Sequence, residues 1–190
     1  IGQVEFGVGE VPAGGGCKEL LRRKVNPVMK TANADVLPIM QETFEQIALA
    51  KVATSAWEAK DMGFLTRDAL IEMNGAHLLA TAKKRALQLV DSGARPPEVE
   101  KIYAAGRDTY YALLMGVKGL QWGDYASEHD ALVARKTAYV LCGGDISAAA
   151  WVDPWIILDL EREAFLSLLG EQKTIERMMH MLQTGKPLRN

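Results

Sequence analysis

The sequence predicts a mainly α-helical protein with a small α+β remnant, and three observations carry that expectation. Apolar residues recur three and four positions apart through most of the chain. Capping residues stand ahead of those stretches and glycine behind them. Extended character is confined to short pieces near residues 1–8 and 69–73.

In chain order, "CKELLRRKV" (17–25) reads as a short helix entered from Gly14–Gly16 and ended at Asn26-Pro27. "DVLPIMQETFEQIALAK" (35–51) sets Ile39, Phe44 and Ile47 on one face, with Asp35 as N-cap and Pro38 in the first turn. In "TSAWEAKDMGF" (54–64), Thr54 or Ser55 caps a short helix, Glu58 answers from inside it, and Gly63 stops it. "GAHLLATAKKRALQLVDSG" (75–93) carries a stripe of Leu79, Ala82, Ala86 and Leu89 and should stop near Gly93. "ARPPE" (94–98) reads as a linker, because consecutive prolines disfavour helix on both sides. Two helices are expected between Arg107 and Gly144, one of them capped by Ser127. Asp153-Pro154 then opens a helix whose stripe is Ile157, Leu160, Ala164 and Leu168, closed by Gly170, and a last helix stops at Gly185.

With 48% apolar and 24% charged residues among 190, the chain can build a core of ordinary size. A formal net charge of −2 gives no basic face for nucleic acid or an anionic membrane. No apolar run is long enough to span a bilayer, and no leader segment is visible. Cys17 and Cys142 stand apart in apolar surroundings without ligand spacing, so neither a disulfide framework nor a metal site is expected, and a reducing, cytoplasmic setting fits. The opening at Ile1, inside what reads as a strand, suggests a piece of a longer chain.

The stretch "VEFGVGEVPAGGGCKELL" (4–21) is the candidate site. It is not a Walker loop, since no Lys-Ser/Thr pair follows Gly14. It is not a dinucleotide fingerprint, since Gly7-Val8-Gly9 meets Pro12 where a glycine is required. A structural turn between a strand and a helix is one reading. The other is functional: Glu5 lies just ahead of a turn whose amides, Ala13 to Gly16, open a helix, so a base and hydrogen-bond donors could share one water.

"GQVEFGVGEVPAGGGCKEL" (2–20) resembles the segment of the crotonase (enoyl-CoA hydratase/isomerase) superfamily that runs G-Q-P-E, an apolar stretch, then a proline and a glycine-rich turn entering a helix. "TSAWEAKDMGFLTRDALIEM" (54–73) resembles the family's next block. "LCGGD" (141–145) and the stretch from Leu160 to Asn190 resemble the end of fused bacterial 3-hydroxyacyl-CoA dehydrogenases, in which a nicotinamide-binding half precedes a crotonase-like region. The resemblance implies the C-terminal part of a crotonase-like domain over 1–93, a linker over 94–105 and a helical C-terminal region over 106–190.

It also implies that Glu5 is the second of two catalytic glutamates, the acid/base in adding water across an enoyl double bond, and that the backbone amide of Ala13 holds the water. Val4 stands where the family commonly has proline, and Ala13 where it has glycine. The first glutamate, the oxyanion-hole amides and the NAD site would lie outside this chain, so these residues alone are expected to be inactive as a hydratase. Acyl-CoA is the implied substrate of the parent protein, and no cofactor is expected in this chain. The alternative is a non-catalytic helical module for docking or oligomerisation, which would self-associate or contact the missing half. The two differ on Glu5, which should face a cavity in the first case and open surface in the second.

Other residues weigh less. His129 in "SEHD" (127–130) lies between carboxylates but lacks a nucleophile or metal partner, and a Ser127-capped helix start accounts for it. His77 and His180 read as structural or surface residues. Trp122, Trp151, Trp155, Tyr110 and Tyr111 suit helix packing better than an acyl pocket or a subunit contact. The runs "RRK" (22–24) and "KKR" (83–85) read as solvated faces rather than a grip on the phosphates of CoA.

Overall fold

The computed structural model describes residues 1–190 and is built mainly from helices. A rod made of α1 (Gly16–Leu20), a π-helical turn (Leu21–Val25) and α2 (Asn26–Met29) leads into α3 (Val36–Ala48) and α4 (Ala56–Asp61). After α5 (Leu78–Asp91) come β1 (Ile102–Ala104), α6 (Gly106–Trp122), α7 (Glu128–Leu141), β2 (Ala150–Val152), α8 (Pro154–Leu169) and α9 (Gln172–Thr184).

The caps form as local chemistry requires. The side chains of Asp35, Ser55 and Asp153 accept from Leu37, Glu58 and Trp155 amides, and Ser127 with Asp130 completes a capping box. Thr54 and Ser55 share the start of α4, because Glu58 reaches back to accept from both the amide and the hydroxyl of Thr54.

The strands are not where the sequence placed them. Residues 1–8 make one bridge, Gly2 to Val52, and then wind into a 3-10 turn, Glu5–Val8, that Gly9 ends at φ +86°. Residues 69–73 have no neighbour to pair with, and an unpaired strand is not stable in water. The sheet is instead a two-stranded antiparallel ladder of β1 and β2, with Ile102 opposite Val152 and Tyr103 edge-on to Trp151. Nor does Asn26-Pro27 end a helix. The π-helical turn ahead of Pro27 relaxes the tight ladder, and the proline enters at the first positions of α2, where no amide hydrogen is needed.

The core forms around α7, which packs against α1, α3, α6 and α8. Its Ala131, Ala134 and Ala138 are buried and small enough for neighbouring helices to approach closely. Phe6, Val11, Leu20, Ile47, Ile102, Leu141 and Ile157 belong to one buried apolar cluster. No residue from 65 to 101 is buried, so α5 stands outside it. No helix is long and apolar enough to cross a membrane.

Candidate functional site

The glycine-rich segment turns twice in left-handed conformations that favour glycine, at Gly9 (φ +86°) and Gly15 (φ +91°). The requirement does not fall on Ala13, which keeps a negative φ, so alanine is unstrained there. The Ala13 amide makes no hydrogen bond within the chain. That of Gly15 donates to Glu161 Oε2 at 2.7 Å, and that of Lys18 donates to Oε1 of the same carboxylate at 2.7 Å. Glu161 therefore caps α1 from α8, occupying part of the donor set that spacing suggested for a water.

Three carboxylates converge on this segment. Glu161 is fully buried, and desolvation pushes its pKa up to about 7, with the Lys18 and Gly15 amides working the other way. Glu10 is 1% exposed, neither of its oxygens has a hydrogen-bonding partner, and burial likewise raises it to about 7 against a smaller effect of the Val11 amide. Glu5 is half-buried at the start of the 3-10 turn, with Oε2 buried and unpartnered. Burial, then the charges of Glu161 and Glu5, push the Cys17 thiol well above its ordinary value, so it is held protonated and unreactive.

A strut from α9 fixes the opposite side of the segment. The Thr174 hydroxyl donates to the carbonyl of Gly9 at 3.0 Å and lies 2.9 Å from His129 Nε2. A hydroxyl has one hydrogen to give, so Nε2 carries the proton and donates to Thr174. His129 is buried, and desolvation, then the Arg177 charge, lower its pKa, which keeps it neutral at pH 7. A Cβ at residue 9 would meet Thr174 Oγ1 at 2.9 Å, a second reason for glycine there. Arg177, one turn further along α9, is buried against Asp130 at 2.8 Å.

The other residues singled out in the sequence do not gather at this segment. Trp122 and Trp155 are exposed rather than packed in a helix core, Trp151 sits on β2, and Tyr110 contacts Tyr111 and Tyr139. The run at 22–24 is spent internally, since Arg22 and Arg23 pair with Glu19, and Lys24, itself buried, pairs with Glu42. Lys83, Lys84 and Arg85 lie exposed on α5. His77 is exposed and His180 half-buried.

Glu161 and Glu10 were missed from sequence. Glu161 had a signal, falling four residues after Ile157 on the face that buries Ala164 and Leu168, the one charge in that series. Glu10 had little beyond its apolar neighbours.

The sheet of the chain is a two-stranded antiparallel ladder and lies apart from the glycine-rich segment. No protein-family model and no solved structure matches the chain. Among curated proteins, the whole chain is 47% identical to a probable 3-hydroxyacyl-CoA dehydrogenase of Bacillus subtilis (strain 168), of whose length it spans 23%.

Proposed function

We propose that the chain is a region of a 3-hydroxyacyl-CoA dehydrogenase of fatty-acid β-oxidation, and that this region carries half of an enoyl-CoA hydratase site. The observation that carries the first part is the 47% identity to the Bacillus subtilis protein along the whole chain. The second part rests on the crotonase-like pattern around Glu5 and on one geometric fact. Glu5 holds a buried, unpartnered carboxylate oxygen in the same short segment as the unengaged amide of Ala13.

In hydration, a water oxygen bonds to C3 of the enoyl thioester, its proton passes to a carboxylate, and a proton is delivered to C2. Glu5 is the base and acid for that transfer, and the Ala13 amide orients the water. The second carboxylate and the oxyanion donors belong to the rest of the parent protein, as does the nicotinamide site that would oxidise the 3-hydroxyacyl product. Each missing oxyanion donor is worth roughly 2.7–4 kcal/mol in comparable acyl chemistry. These 190 residues alone are therefore expected to be inactive on crotonyl-CoA.

The test uses the longer protein encoded by the gene that carries this region. Glu5→Gln should lower crotonyl-CoA hydration by about a hundredfold and leave NAD-dependent oxidation of 3-hydroxybutyryl-CoA unchanged. Undiminished hydration in that variant removes Glu5 from the mechanism, and absence of both activities from the wild type removes the whole reading.

A second reading, an oligomerisation role, is favoured by α5. Its apolar groove, lined by Leu70, Leu78, Ala82, Ala86 and Leu89, is uncovered and carries Glu72 and Arg85 at its sides. That charge pair suits a second copy set against it about a two-fold axis, Arg85 facing Glu72. Sedimentation should then show a dimer that Leu78→Glu dissociates, and a monomeric wild type would exclude it.

A further inference from the structure

Beyond α9 the chain doubles back along that helix. Gly185 ends α9 in the left-handed region, at φ +68°, where a side chain would be strained. Residues 186–190, if extended, span about 16 Å, and the helix rises about 15 Å from Thr174 to Thr184. The return is therefore long enough to reach the turn that carries Thr174.

It does reach that turn. Asn190 is half-buried, and its Oδ1 accepts from Arg177 Nε at 2.8 Å. Its Nδ2 donates to the Lys173 carbonyl at 3.2 Å and to Glu176 Oε2 at 3.0 Å. The three partners flank Thr174 on α9. Arg189 extends across to Asp130 on α7, and the Lys186 amide fastens the other end of the return to the Thr184 hydroxyl.

Two observations tie this return to the glycine-rich segment. The first turn of α9 has no side-chain cap of its own, so it would fray unless held from elsewhere. Arg177 is buried, and Asn190 is the acceptor of its Nε, so losing Asn190 strands a charged donor in the interior. That same turn also rests directly on Gly9. Thr174 donates to the Gly9 carbonyl, and a Cβ on residue 9 would lie 3.3 Å from Thr174 Cα. Backbone packed on backbone leaves no flexible side chain to absorb a shift. Gly9 in turn closes the 3-10 turn that begins at Glu5: the Gly9 and Glu10 amides donate to the Phe6 and Glu5 carbonyls, both at 3.0 Å.

We propose that residues 186–190 form a strap and that Asn190 is a positioning residue for Glu5, acting through Arg177, the first turn of α9, Thr174 and Gly9. Its effect on hydration rests on the role proposed for Glu5. The mechanical link rests on the hydrogen bonds alone.

Two-dimensional nitrogen–proton NMR of the chain tests that link, because native-state peak positions report local structure and not overall stability. In Asn190→Ala the Gly9 and Glu10 amide peaks and the His129 Nε2 signal should move, while those of Phe44 and Ile47 in α3 stay in place. Gln183→Ala, on an exposed position of α9, should move none of them. Asn190→Asp combined with Glu176→Gln exchanges donor and acceptor while keeping the acceptor for Arg177, and should return the Gly9 and Glu10 peaks toward their wild-type positions. Unmoved Gly9 and Glu10 peaks in Asn190→Ala, or no recovery in the double variant, overturn the strap.

In the longer protein, Asn190→Ala should lower kcat for crotonyl-CoA hydration by about tenfold with KM and 3-hydroxybutyryl-CoA oxidation unchanged. Displaced peaks with full hydration, in a protein whose Glu5→Gln variant loses it, overturn the positioning role. Full hydration in Glu5→Gln overturns instead the reading of Glu5, and the strap then stands or falls on the peaks.

Discussion

Gly15 and Glu161 are 146 residues apart in sequence and 2.7 Å apart in the structure, amide to carboxylate oxygen. With the Lys18 amide on the other oxygen, this one side chain joins the glycine-rich opening to α8. It also explains how the start of α1 can be buried: the Gly15 and Lys18 amides are met from within the chain.

Glu161→Ala should therefore unfasten the start of α1. Two amides, that of Gly15 buried and that of Lys18 half-buried, would lose their acceptor, at about 1–3 kcal/mol each before relaxation, so a loss of about 3 kcal/mol is expected in urea unfolding at pH 6. A loss under about 1 kcal/mol would mean that water serves these amides equally well.

Glu10 sets a pH dependence of the opposite kind to the usual carboxylate. Its folded pKa is raised from 4.5 to about 7, so the fold prefers the protonated form. Stability contributed this way is complete below pH 4.5 and is lost as pH rises toward 7. The difference is worth about 3 kcal/mol. Glu10→Gln should match wild type near pH 5 and exceed its stability by about that amount at pH 8. Parallel pH profiles of unfolding free energy for the two proteins would show that Glu10 is solvated.

What was legible in the sequence and what was not divide along the range of the interactions. Asp35, Ser55, Ser127 and Asp153 cap helices through bonds two or three residues away, so the motif and the structure coincide. The β1–β2 ladder depends on Ile102 meeting Val152, and three-residue strands carry too little periodicity to announce that pairing. Glu5 and Ala13 could be singled out because their segment has a family-like pattern. Glu10 could not, because the burial of both its oxygens is produced by elements far along the chain.

Arg177 and Asp130 form a pair buried at 2% and 6% side-chain exposure. Burial alone would raise Asp130, but the Arg177 hydrogen bond, the Ser127 amide and the neighbouring positive charges outweigh it and hold the pKa below 3.8. Stability from such a group is present above the unfolded pKa and lost as pH falls through the folded one. Arg177→Met leaves Asp130 charged and buried with only the exposed Arg189 and the Ser127 amide beside it, and should cost about 3–5 kcal/mol at pH 7. At pH 3 the cost should shrink as Asp130 protonates; an equal cost at both pH values would show that the loss is one of packing.

Thr174 tests whether α9 positions the segment that carries Glu5 or merely covers it. Its hydroxyl donates to the Gly9 carbonyl and receives the His129 Nε2 hydrogen, so Thr174→Val, equal in shape, strands one acceptor and one donor in the interior. A cost of about 2 kcal/mol is expected, with Thr174→Ser retaining most of the stability. Two-dimensional nitrogen–proton NMR of His129 supplies the readout that packing alone would not move. The wild type and Thr174→Ser should show the Nε2–H tautomer, while Thr174→Val removes the hydroxyl that selects it and should shift the ring nitrogens. Gly9 ends the turn that begins at Glu5, so the role proposed for Glu5 predicts that the valine variant in the longer protein lowers enoyl-CoA hydration more than dehydrogenation. An Nδ1–H tautomer in the wild type would make Nε2 the acceptor of the Thr174 hydrogen, leave the Gly9 carbonyl without its donor, and overturn the relay that ties α9 to the segment.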